Sequence, residues 1–325
     1  MMGSKWHRLL NLLKSPRRLV NELGRRGDLN WMCDKMYLKI LYRLNMKKPL
    51  NLKAPRTFNE KLQWLKLYDR KPEYTTLVDK YAVKEYIAQK IGSEYVIPTL
   101  GVWDKFEDID FDKLPDQFVL KCTHDSGGLV ICRDKSKLDI EAARQKINKS
   151  LKYNYYYRWR EWPYKNVPPR IIAEKYMEDD QGASLQGFKE KASAKGNLTD
   201  YKFFCFNGQV DCVMVCLDRS SGNTKFYFFD RDWQLLRYNI RGKNAPENFT
   251  IPKPSNMEEM FAMAQKLSEG LPFVRIDLYS VSGKTFFGEM TFFPDSGFDC
   301  NLLWETDLHW GEKIDLSIIH SGEKK

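Results

Sequence analysis

Two carboxylates twelve residues apart, Asp277 and Glu289, could together hold a metal ion. They lie in two segments of alternating polarity that flank a Ser-Gly pair, which is the signature of a β-hairpin. An odd-length loop, such as Ser282-Gly283-Lys284, would place the two acids directly opposite each other, with Arg275 and Thr291 on the same face. Carboxylates at cross-strand distance repel each other unless a cation lies between them, and oxygen ligands favour Mg2+. The same pattern also fits a solvent-exposed hairpin in which the acids pair with lysines such as Lys284.

The segment 118–133 predicts a strand, a small polar loop and a second strand. Lys121 interrupts the first strand and shares a face with Val119 and Thr123, where an unpaired ammonium group would be costly to bury. A bound phosphate would remove that cost. The loop His124-Asp-Ser-Gly-Gly128 supplies backbone N–H groups of the kind that close over a polyphosphate, and His124 is a candidate phosphate donor. A two-glycine loop is also common as a simple turn, and the histidine also fits an ordinary loop residue.

Further helices and strands would position these groups. Thr57 and Glu60 have the spacing of a capping box, which predicts a helix over 61–68. A second helix over 75–89 would carry Asp79 and Lys80. Strands are predicted in the segments 96–103, 170–177, 200–208 and 209–216, the last two joined by an Asn-Gly turn, with Asp200 and Lys202 on one face.

Charge is concentrated at the N-terminus. The 325-residue chain is 42% hydrophobic and carries a net charge of +10, and residues 1–50 hold twelve Lys or Arg against three acids. Apolar residues there recur at helical spacing, so we expect basic amphipathic helices that either contact an anionic membrane or cap the body. No nucleic-acid motif accompanies them.

Several features predict a protein that stays inside the cell. No run of about 18 apolar residues could span a bilayer, and the basic N-terminus lacks a signal-peptide pattern. The seven cysteines are scattered without a zinc pattern and fit a reducing compartment. We therefore expect a cytoplasmic protein, with the inner face of the membrane as a further location.

Taken in order, these motifs resemble the ATP-grasp superfamily. The motifs are Asp79-Lys80, Lys121 before the Gly-Gly loop, Glu174-Lys-Tyr-Met177, Asp200-Tyr-Lys202, and Asp277 with Glu289. Two segments are similar to the TupA-like branch of this superfamily, which is named for teichuronopeptide synthesis. They are Leu-Lys-Cys-Thr-His-Asp-Ser-Gly-Gly and Gly-Glu-Met-Thr-Phe-Phe-Pro. The resemblance covers about residues 55–318 and implies an α+β fold in which two β-rich lobes hold ATP and Mg2+ between them.

The resemblance also implies roles for individual residues. Lys80 and Lys121 would contact the nucleotide, and the loop Ser126, Gly127 and Gly128 would cover the phosphates. Residues Glu174, Lys175, Tyr176 and Met177 would join the lobes and bind adenine, with the acids just beyond them near the ribose. Asp277 and Glu289 would hold the metal, and Lys202 or Arg275 would steady the transferring phosphoryl group. Thr291 stands where many of these enzymes have an asparagine ligand.

The expected organisation is a basic helical region over 1–75, a first lobe over 76–178 and a second lobe over 179–325. Most ATP-grasp ligases begin with a parallel α/β domain, which residues 1–75 do not resemble. We therefore expect acceptor recognition outside that region, in the aromatic and basic segment 153–162. Its candidate residues are Arg158, Trp159, Arg160 and Trp162, since aromatic faces pack on sugars and arginines bind carboxylate or phosphate. An aromatic plug between the lobes fits this segment equally.

The function implied is an ATP-dependent carboxylate–amine ligase that works through an acyl phosphate. Its partners would be a small amine and a carboxylate or polysaccharide precursor, with an amino acid joined to an acidic sugar in cell-surface polysaccharide synthesis. The alternatives are a sugar or polyol kinase and a glycosyltransferase that acts on a surface polysaccharide precursor. A carbohydrate-binding module with a basic anchor is the non-enzymatic alternative.

Overall fold

Two antiparallel sheets and the helices around them make up the described chain. The computed structural model describes residues 15–178, 198–217, 223–317 and 319. The helices are Pro16–Arg26 (α1), Asp34–Met46 (α2), Phe58–Tyr68 (α3), Glu73–Val78 (α4), Val83–Lys90 (α5), Ile140–Leu151 (α6), Tyr156–Trp159 (α7), Ile240–Lys243 (α8), Met257–Ser268 (α9) and Trp304–Lys313 (α10). The strands are Thr99–Trp103 (β1), Phe118–Cys122 (β2), Leu129–Cys132 (β3), Ile171–Lys175 (β4), Asp200–Phe206 (β5), Gln209–Leu217 (β6), Lys225–Phe229 (β7), Leu235–Leu236 (β8), Phe273–Val281 (β9) and Lys284–Thr291 (β10).

The smaller sheet has four strands in the order β1-β4-β2-β3, and the larger has six in the order β10-β9-β5-β6-β7-β8. All strand pairs within them are antiparallel. Val96, just before β1, forms an isolated bridge to Phe287 of β10 and so links the two sheets. The arrangement is α+β, as predicted.

The larger sheet buries most of the apolar core. Helix α9 packs on β5, β6 and β9, with Phe261 edge-on to Phe203 at 5.1 Å. The Trp310 ring of α10 stacks on Phe204 at 4.7 Å and is fully buried. Aromatic pairs of this kind add stability beyond the area that they bury. This packing fixes β5 and β9, which carry the acids and lysines of the candidate site.

The predicted capping box is present at the start of α3, where Thr57 and Glu60 exchange side-chain and backbone hydrogen bonds. The predicted helix over 75–89 is wrong, because the chain breaks between α4 and α5. At the break the Asp79 carboxylate accepts hydrogen bonds from the Tyr81 and Ala82 N–H groups and pairs with Arg170 at 2.7 Å. The break turns the Lys80 side chain toward the loop after β2.

The first lobe was predicted to begin at residue 76, and that boundary stays a prediction. Val83 and Ile87 of α5 are buried in the apolar cluster of the larger sheet, whereas the smaller sheet has its own cluster around Phe118 and Leu120. Helix α5 therefore packs with the second lobe as well as leading into the first. The acids after Glu178 that were expected near the ribose lie outside the described residues.

The N-terminal helices α1 and α2 dock on the body. Asp34 is the centre of this contact, since its carboxylate accepts a hydrogen bond from Tyr156 at 2.5 Å and pairs with Arg70 at 2.7 Å. Tyr37 and Leu41 of α2 are fully buried. In the described part of this region the helices form the cap that one of the two interpretations predicted.

Cys122, Cys205 and Cys216 are buried in strands, as predicted for small apolar fillers. All seven cysteines are free thiols. Among the helices that the structure describes, none has both the length and the apolar character needed to cross a membrane.

Candidate active site

The hairpin of β9 and β10 pairs Asp277 with Glu289 and Arg275 with Thr291, as predicted. The predicted three-residue loop is wrong. The turn has two residues, Ser282 and Gly283, both with positive φ, and a β-bulge between Phe287 and Glu289 restores the register. The bulge residue is Gly288, where a Cβ atom would lie 2.9 Å from the Asp277 carbonyl oxygen.

Asp277 lies at the centre of a charge cluster. Its carboxylate is 1% exposed and accepts hydrogen bonds from Arg275 Nε at 2.7 Å and Arg275 Nη2 at 2.8 Å. Lys202, its register partner on β5, pairs with the same carboxylate. Burial opposes ionisation of Asp277, but the two cations outweigh burial and hold its pKa below the usual range. The Asp277 carboxylate is therefore ionised at neutral pH.

A cavity of about 270 Å³ lies between the two sheets. Asp277 and Glu289 lie on one wall together with Lys202, and Lys80 and Lys121 lie on the other. Residues of both sheets thus face this cavity, and Lys80 joins them from the break between α4 and α5. The remaining lining residues are Val83, Lys84, Val96, Ile97, Cys122, Asp125, Ser126, Gly127, Gly128, Leu129, Glu174, Asp200, Tyr279, Phe287 and Gly288.

Glu174 of β4 binds two lysines in this cavity. Lys121 and Lys84 each lie 2.5 Å from one of its carboxylate oxygens. Burial works against the charge of Glu174, but the two lysines hold its pKa below its ordinary value. Burial lowers the pKa of Lys84, with Glu174 opposing that shift. The Glu174 carboxylate compensates the charge of the Lys121 ammonium group, whose burial without a partner would be unfavourable.

The loop after β2 lies at the mouth of the cavity. Asp125 shapes it by accepting hydrogen bonds from the Gly128 N–H at 3.1 Å and from the Ser150 hydroxyl, while its carbonyl oxygen accepts one from Lys80. A Cβ atom on Gly128 would lie 2.5 Å from the Cys122 sulfur, whereas Gly127 has open space beside it. Ser126 and Gly127 lie at the cavity surface, as predicted for a loop that covers phosphates.

A second cavity of about 450 Å³ adjoins the first and shares Lys121, Glu174 and Asp200 with it. Lys175, Tyr176 and Met177 line this second cavity. Its apolar side chains are Ile97, Val119, Leu129, Ile131 and Leu198, and Arg133 and Tyr279 complete the lining. Apolar side chains make up a larger share of this lining than of the first, which holds four lysines and five acids.

His124 does not fit the role of phosphate donor. Its ring is 2% exposed, lies outside the cavity lining, and has Nε2 3.3 Å from the Ser150 carbonyl oxygen and 3.1 Å from that of Tyr153. Burial lowers the pKa of His124, which favours the neutral ring. It therefore links the loop to the end of α6.

Arg275 and Thr291 lie beside the cavity instead of lining it. Arg275 Nη2 donates to the Thr291 hydroxyl at 3.1 Å and lies 3.4 Å from Glu289 Oε1. Thr291 thus positions the arginine that holds Asp277. The Thr291 hydroxyl also lies 3.4 Å from Glu289 Oε1, and its role as a metal ligand stays a prediction.

Of the four acceptor candidates, Arg160 is placed where no substrate reaches it. The side chain is 1% exposed, pairs with Asp34 at 3.2 Å and donates to the Leu29 carbonyl oxygen at 2.9 Å. Trp159 is half-buried 5.8 Å from the Phe298 ring, and Trp162 is half-buried at the start of a 3-10 helix. Arg158 is exposed and faces a cavity on the other side of the 125–127 loop.

Sequence reasoning missed Lys84 and Asp125. Lys84 lies one helical turn after Lys80, a spacing that places both lysines on one face when the helix is continuous. Asp125 precedes the glycines of the loop, where aspartate commonly accepts backbone hydrogen bonds.

Two of the acids that line the first cavity, Asp277 and Glu289, were predicted to hold a magnesium ion. Both line the cavity from directly paired positions. The Glu289 side chain is 44% exposed, whereas both carboxylate oxygens of Asp277 accept hydrogen bonds from Arg275 and one of them also pairs with Lys202. Mg2+ commonly uses one or two carboxylates and completes its shell with phosphate oxygens and water. Within the described residues no group of three or more His, Cys, Asp or Glu side chains has a metal-binding arrangement.

A family model described as TupA-like ATPgrasp matches residues 60–315. D-alanine–D-alanine ligase from Bacillus anthracis has a TM-score of 0.38 and 14% identity, covering 79% of this chain and 65% of that chain, so the present chain spans less than two thirds of its length. The same enzyme complexed with ATP has a TM-score of 0.43 and 12% identity, covering 88% and 76%. A RimK domain ATP-grasp protein from Sphaerobacter thermophilus has a TM-score of 0.36 and 10% identity, covering 67% and 59%. A search of curated proteins found no match.

Proposed function

The chain belongs to the TupA-like ATP-grasp family and has the ATP-grasp fold, and from this premise we propose that it is an ATP-dependent carboxylate–amine ligase. It would join an amine, such as that of an amino acid, to the carboxylate of an acidic sugar for a cell-surface polysaccharide. The observation that carries the proposal is the registered pair Asp277 and Glu289 facing Lys80 and Lys121 across one cavity.

ATP would occupy the two adjoining cavities. Its adenine would lie in the second cavity beside Lys175, Tyr176 and Met177, and its phosphates would lie near Lys80 and Lys121 in the first. Backbone groups of the 126–127 loop would cover the phosphates from above. This division follows from the larger share of apolar side chains in the second cavity and from the lysines of the first.

Asp277 and Glu289 would hold Mg2+, which when bound neutralises charge on the phosphoryl oxygens. Lys202 faces the same space and can neutralise the transferring group, while Arg275 holds Asp277 ionised from below. The protein's contribution is mainly positioning and charge stabilisation.

The chemistry would run in two steps. A substrate carboxylate oxygen attacks the γ-phosphorus, the bond from that phosphorus to the bridging oxygen breaks, and ADP leaves behind an acyl phosphate. The amine then attacks the acyl carbon and loses a proton, phosphate departs with the carboxylate's former oxygen, and an amide remains. Lysines on both walls stabilise the negative charge that moves between the phosphates.

We also propose that helix α2 contacts an anionic membrane at the inner face of the cell membrane. Met36 and Ile40 are 46% and 36% exposed on the side of α2 that faces away from the body. Lys35 and Lys39 lie on that side, and Trp31, just before the helix, is 76% exposed. Exposed apolar side chains with basic neighbours favour peripheral binding to anionic lipid.

The reaction is tested by incubating the protein with ATP, Mg2+ and panels of acidic sugars and amino acids, with ADP release as the measurement. A ligase requires both partners for turnover. Carboxylate labelled with oxygen-18 then separates the alternatives, since a ligase transfers label to the released phosphate. Unlabelled phosphate or a phosphorylated sugar product would instead identify a kinase or another transferase, and absence of ATP turnover with every pair would contradict the ligase proposal.

A further inference from the structure

A third cavity, of about 320 Å³, lies on the other side of the loop that covers the first. The two cavities share Asp125, Ser126 and Gly127, so this loop forms a common wall. The other walls come from α1, from the end of α6 and from the aromatic segment that follows it. Its volume is at the lower end of the range for small-molecule sites, roughly 300–1,000 Å³.

Cations predominate in the lining of this cavity. Arg25, Lys146, Lys149 and Arg158 contribute four positive charges, and Asp125 contributes one negative charge. The Asp125 carboxylate is directed to the loop itself, where it accepts its hydrogen bonds. The cavity thus favours a ligand with more than one negative charge.

Arg25 is held in place before any ligand binds. Its Nε donates to Glu22 at 2.9 Å, its Nη1 donates to the Tyr153 hydroxyl at 3.3 Å, and its guanidinium lies 5.4 Å from the Tyr153 ring centre. A guanidinium fixed by a neighbouring acid and ring loses little freedom when it binds an anion. Its Nη2 also donates to Glu22, at 2.5 Å, so Arg25 is fixed in position by one carboxylate, and the remaining N–H groups of Nη1 and Nη2 can donate hydrogen bonds to a bound anion.

Aromatic side chains form part of the lining of this cavity. Tyr153 and Tyr155 line it, and the Tyr155 ring is edge-on to Tyr164 at 4.9 Å. Burial, and then the charge of Glu161, raises the pKa of the Tyr155 hydroxyl, with Glu289 contributing in the same direction. The hydroxyl therefore remains a donor at neutral pH, within electrostatic range of a predicted metal ligand. Tyrosine faces also suit the apolar faces of sugar rings.

We propose that this cavity is the acceptor subsite and that it takes a sugar phosphate, with the phosphoryl group at Arg25 and Lys149 and the ring beside Tyr153 and Tyr155. The inference rests on the proposed ligase function. It specifies that the acidic sugar substrate of that ligase carries a phosphoryl group. It also assigns to α1 a part in acceptor binding, which the sequence had led us to expect outside residues 1–75.

The test measures binding of glucuronic acid 1-phosphate by calorimetry to full-length protein saturated with ADP and Mg2+. The variants are Arg25→Ala and Lys149→Ala, and the matched controls are Arg26→Ala and Lys152→Ala, whose side chains lie outside the cavity lining. Losing a hydrogen bond to a charged phosphate weakens binding by roughly 10- to 100-fold. We expect that loss in both cavity variants, wild-type affinity in both controls, and unchanged ADP affinity in all four.

Two outcomes would overturn the subsite: no binding of the probe to wild-type protein that binds ADP, or equal binding by Lys149→Ala and Lys152→Ala. The lysine pair is decisive even where Arg25→Ala fails to fold, because both lysines are exposed. Inorganic phosphate and glucuronic acid serve as further probes, and equal affinity for phosphate alone would overturn the sugar part. Failure of wild-type protein to bind ADP would instead contradict the proposed function.

Discussion

Arg275 and Asp277 lie two residues apart on β9, and the Arg275 guanidinium binds both carboxylate oxygens of Asp277, at 2.7 and 2.8 Å. The two side chains share one face because residues two apart on a strand point the same way. Lys202 approaches the same carboxylate from the neighbouring strand. The predicted metal site therefore stands on a buried ionic cluster whose members depend on one another.

Removing one partner of this cluster is expected to destabilise the fold. Arg275→Gln leaves Asp277 buried with one cation fewer, and breaking a buried pair costs about 3–5 kcal/mol. Urea unfolding measures this loss. Arg231→Gln is the matched control, since its pair with Glu258 is at the surface and its loss is expected to cost about 1 kcal/mol or less. Equal losses in the two variants would contradict the buried cluster.

The loop at the cavity mouth should tolerate alanine at one glycine and not at the other. A Cβ atom at Gly128 would lie 2.5 Å from the Cys122 sulfur and 2.8 Å from the Ser150 hydroxyl oxygen, whereas at Gly127 it meets only Asp125 Oδ2 at 3.8 Å. We expect Gly128→Ala to lower the free energy of unfolding by about 1–3 kcal/mol and to weaken ADP binding. Thermal unfolding and calorimetry would show Gly127→Ala close to wild type. The reverse order would mean that the loop is packed differently.

The sequence predicted the pairing of Asp277 with Glu289 but not the backbone that produces it. A two-residue turn alone would have put Gly288 in that place, and the bulge shifts the register by one residue. Alternation of polarity does not reveal a bulge, because the extra residue is a glycine with no side chain to assign to a face. The predicted pair was right although the predicted three-residue loop was wrong, because the extra residue lies at Gly288 in the strand instead of in the turn.

Tertiary contacts explain the other differences. The broken helix at Asp79 depends on Arg170, 91 residues away, and the burial of Arg160 depends on Asp34 in α2. No local pattern contains these contacts. The α+β class and the strand-loop-strand around Lys121 were predictable because they depend on short-range alternation and turn residues.

Stability should rise with pH above neutrality because of Lys66. Burial lowers the pKa of Lys66 to about 7, with the charge of Glu161 opposing. A lysine in the unfolded chain has a pKa of about 10.4. Between about pH 7 and that pKa the unfolded chain therefore holds a proton on Lys66 that the folded protein lacks. The free energy of unfolding therefore rises with pH from about 7 to about 10. Urea unfolding at several pH values should show a flatter dependence in Lys66→Met, and parallel curves for the two proteins would contradict this.

The outer side of α2 gives a test of membrane contact. Each basic residue near an anionic surface contributes about 1 kcal/mol, so Lys35→Glu with Lys39→Glu should weaken binding to phosphatidylserine vesicles by roughly 30-fold or more. The matched control is Lys113→Glu with Lys137→Glu, which makes the same charge change at lysines 84% and 81% exposed on the first lobe. Vesicle co-sedimentation measures both, and equal weakening would show attraction by net charge alone.

The most direct measurement of the central claim is calorimetric binding of ADP with and without Mg2+ to the wild type, Asp277→Asn and Glu289→Gln. Glu258→Gln, which removes a surface carboxylate, is the control. We expect Mg2+ to strengthen ADP binding to the wild type and the control, and each cavity variant to lose about 10- to 100-fold of that Mg2+-dependent affinity. Binding that is the same with and without Mg2+, or an absence of ADP binding to the wild type, would contradict a metal held by Asp277 and Glu289 against a nucleotide.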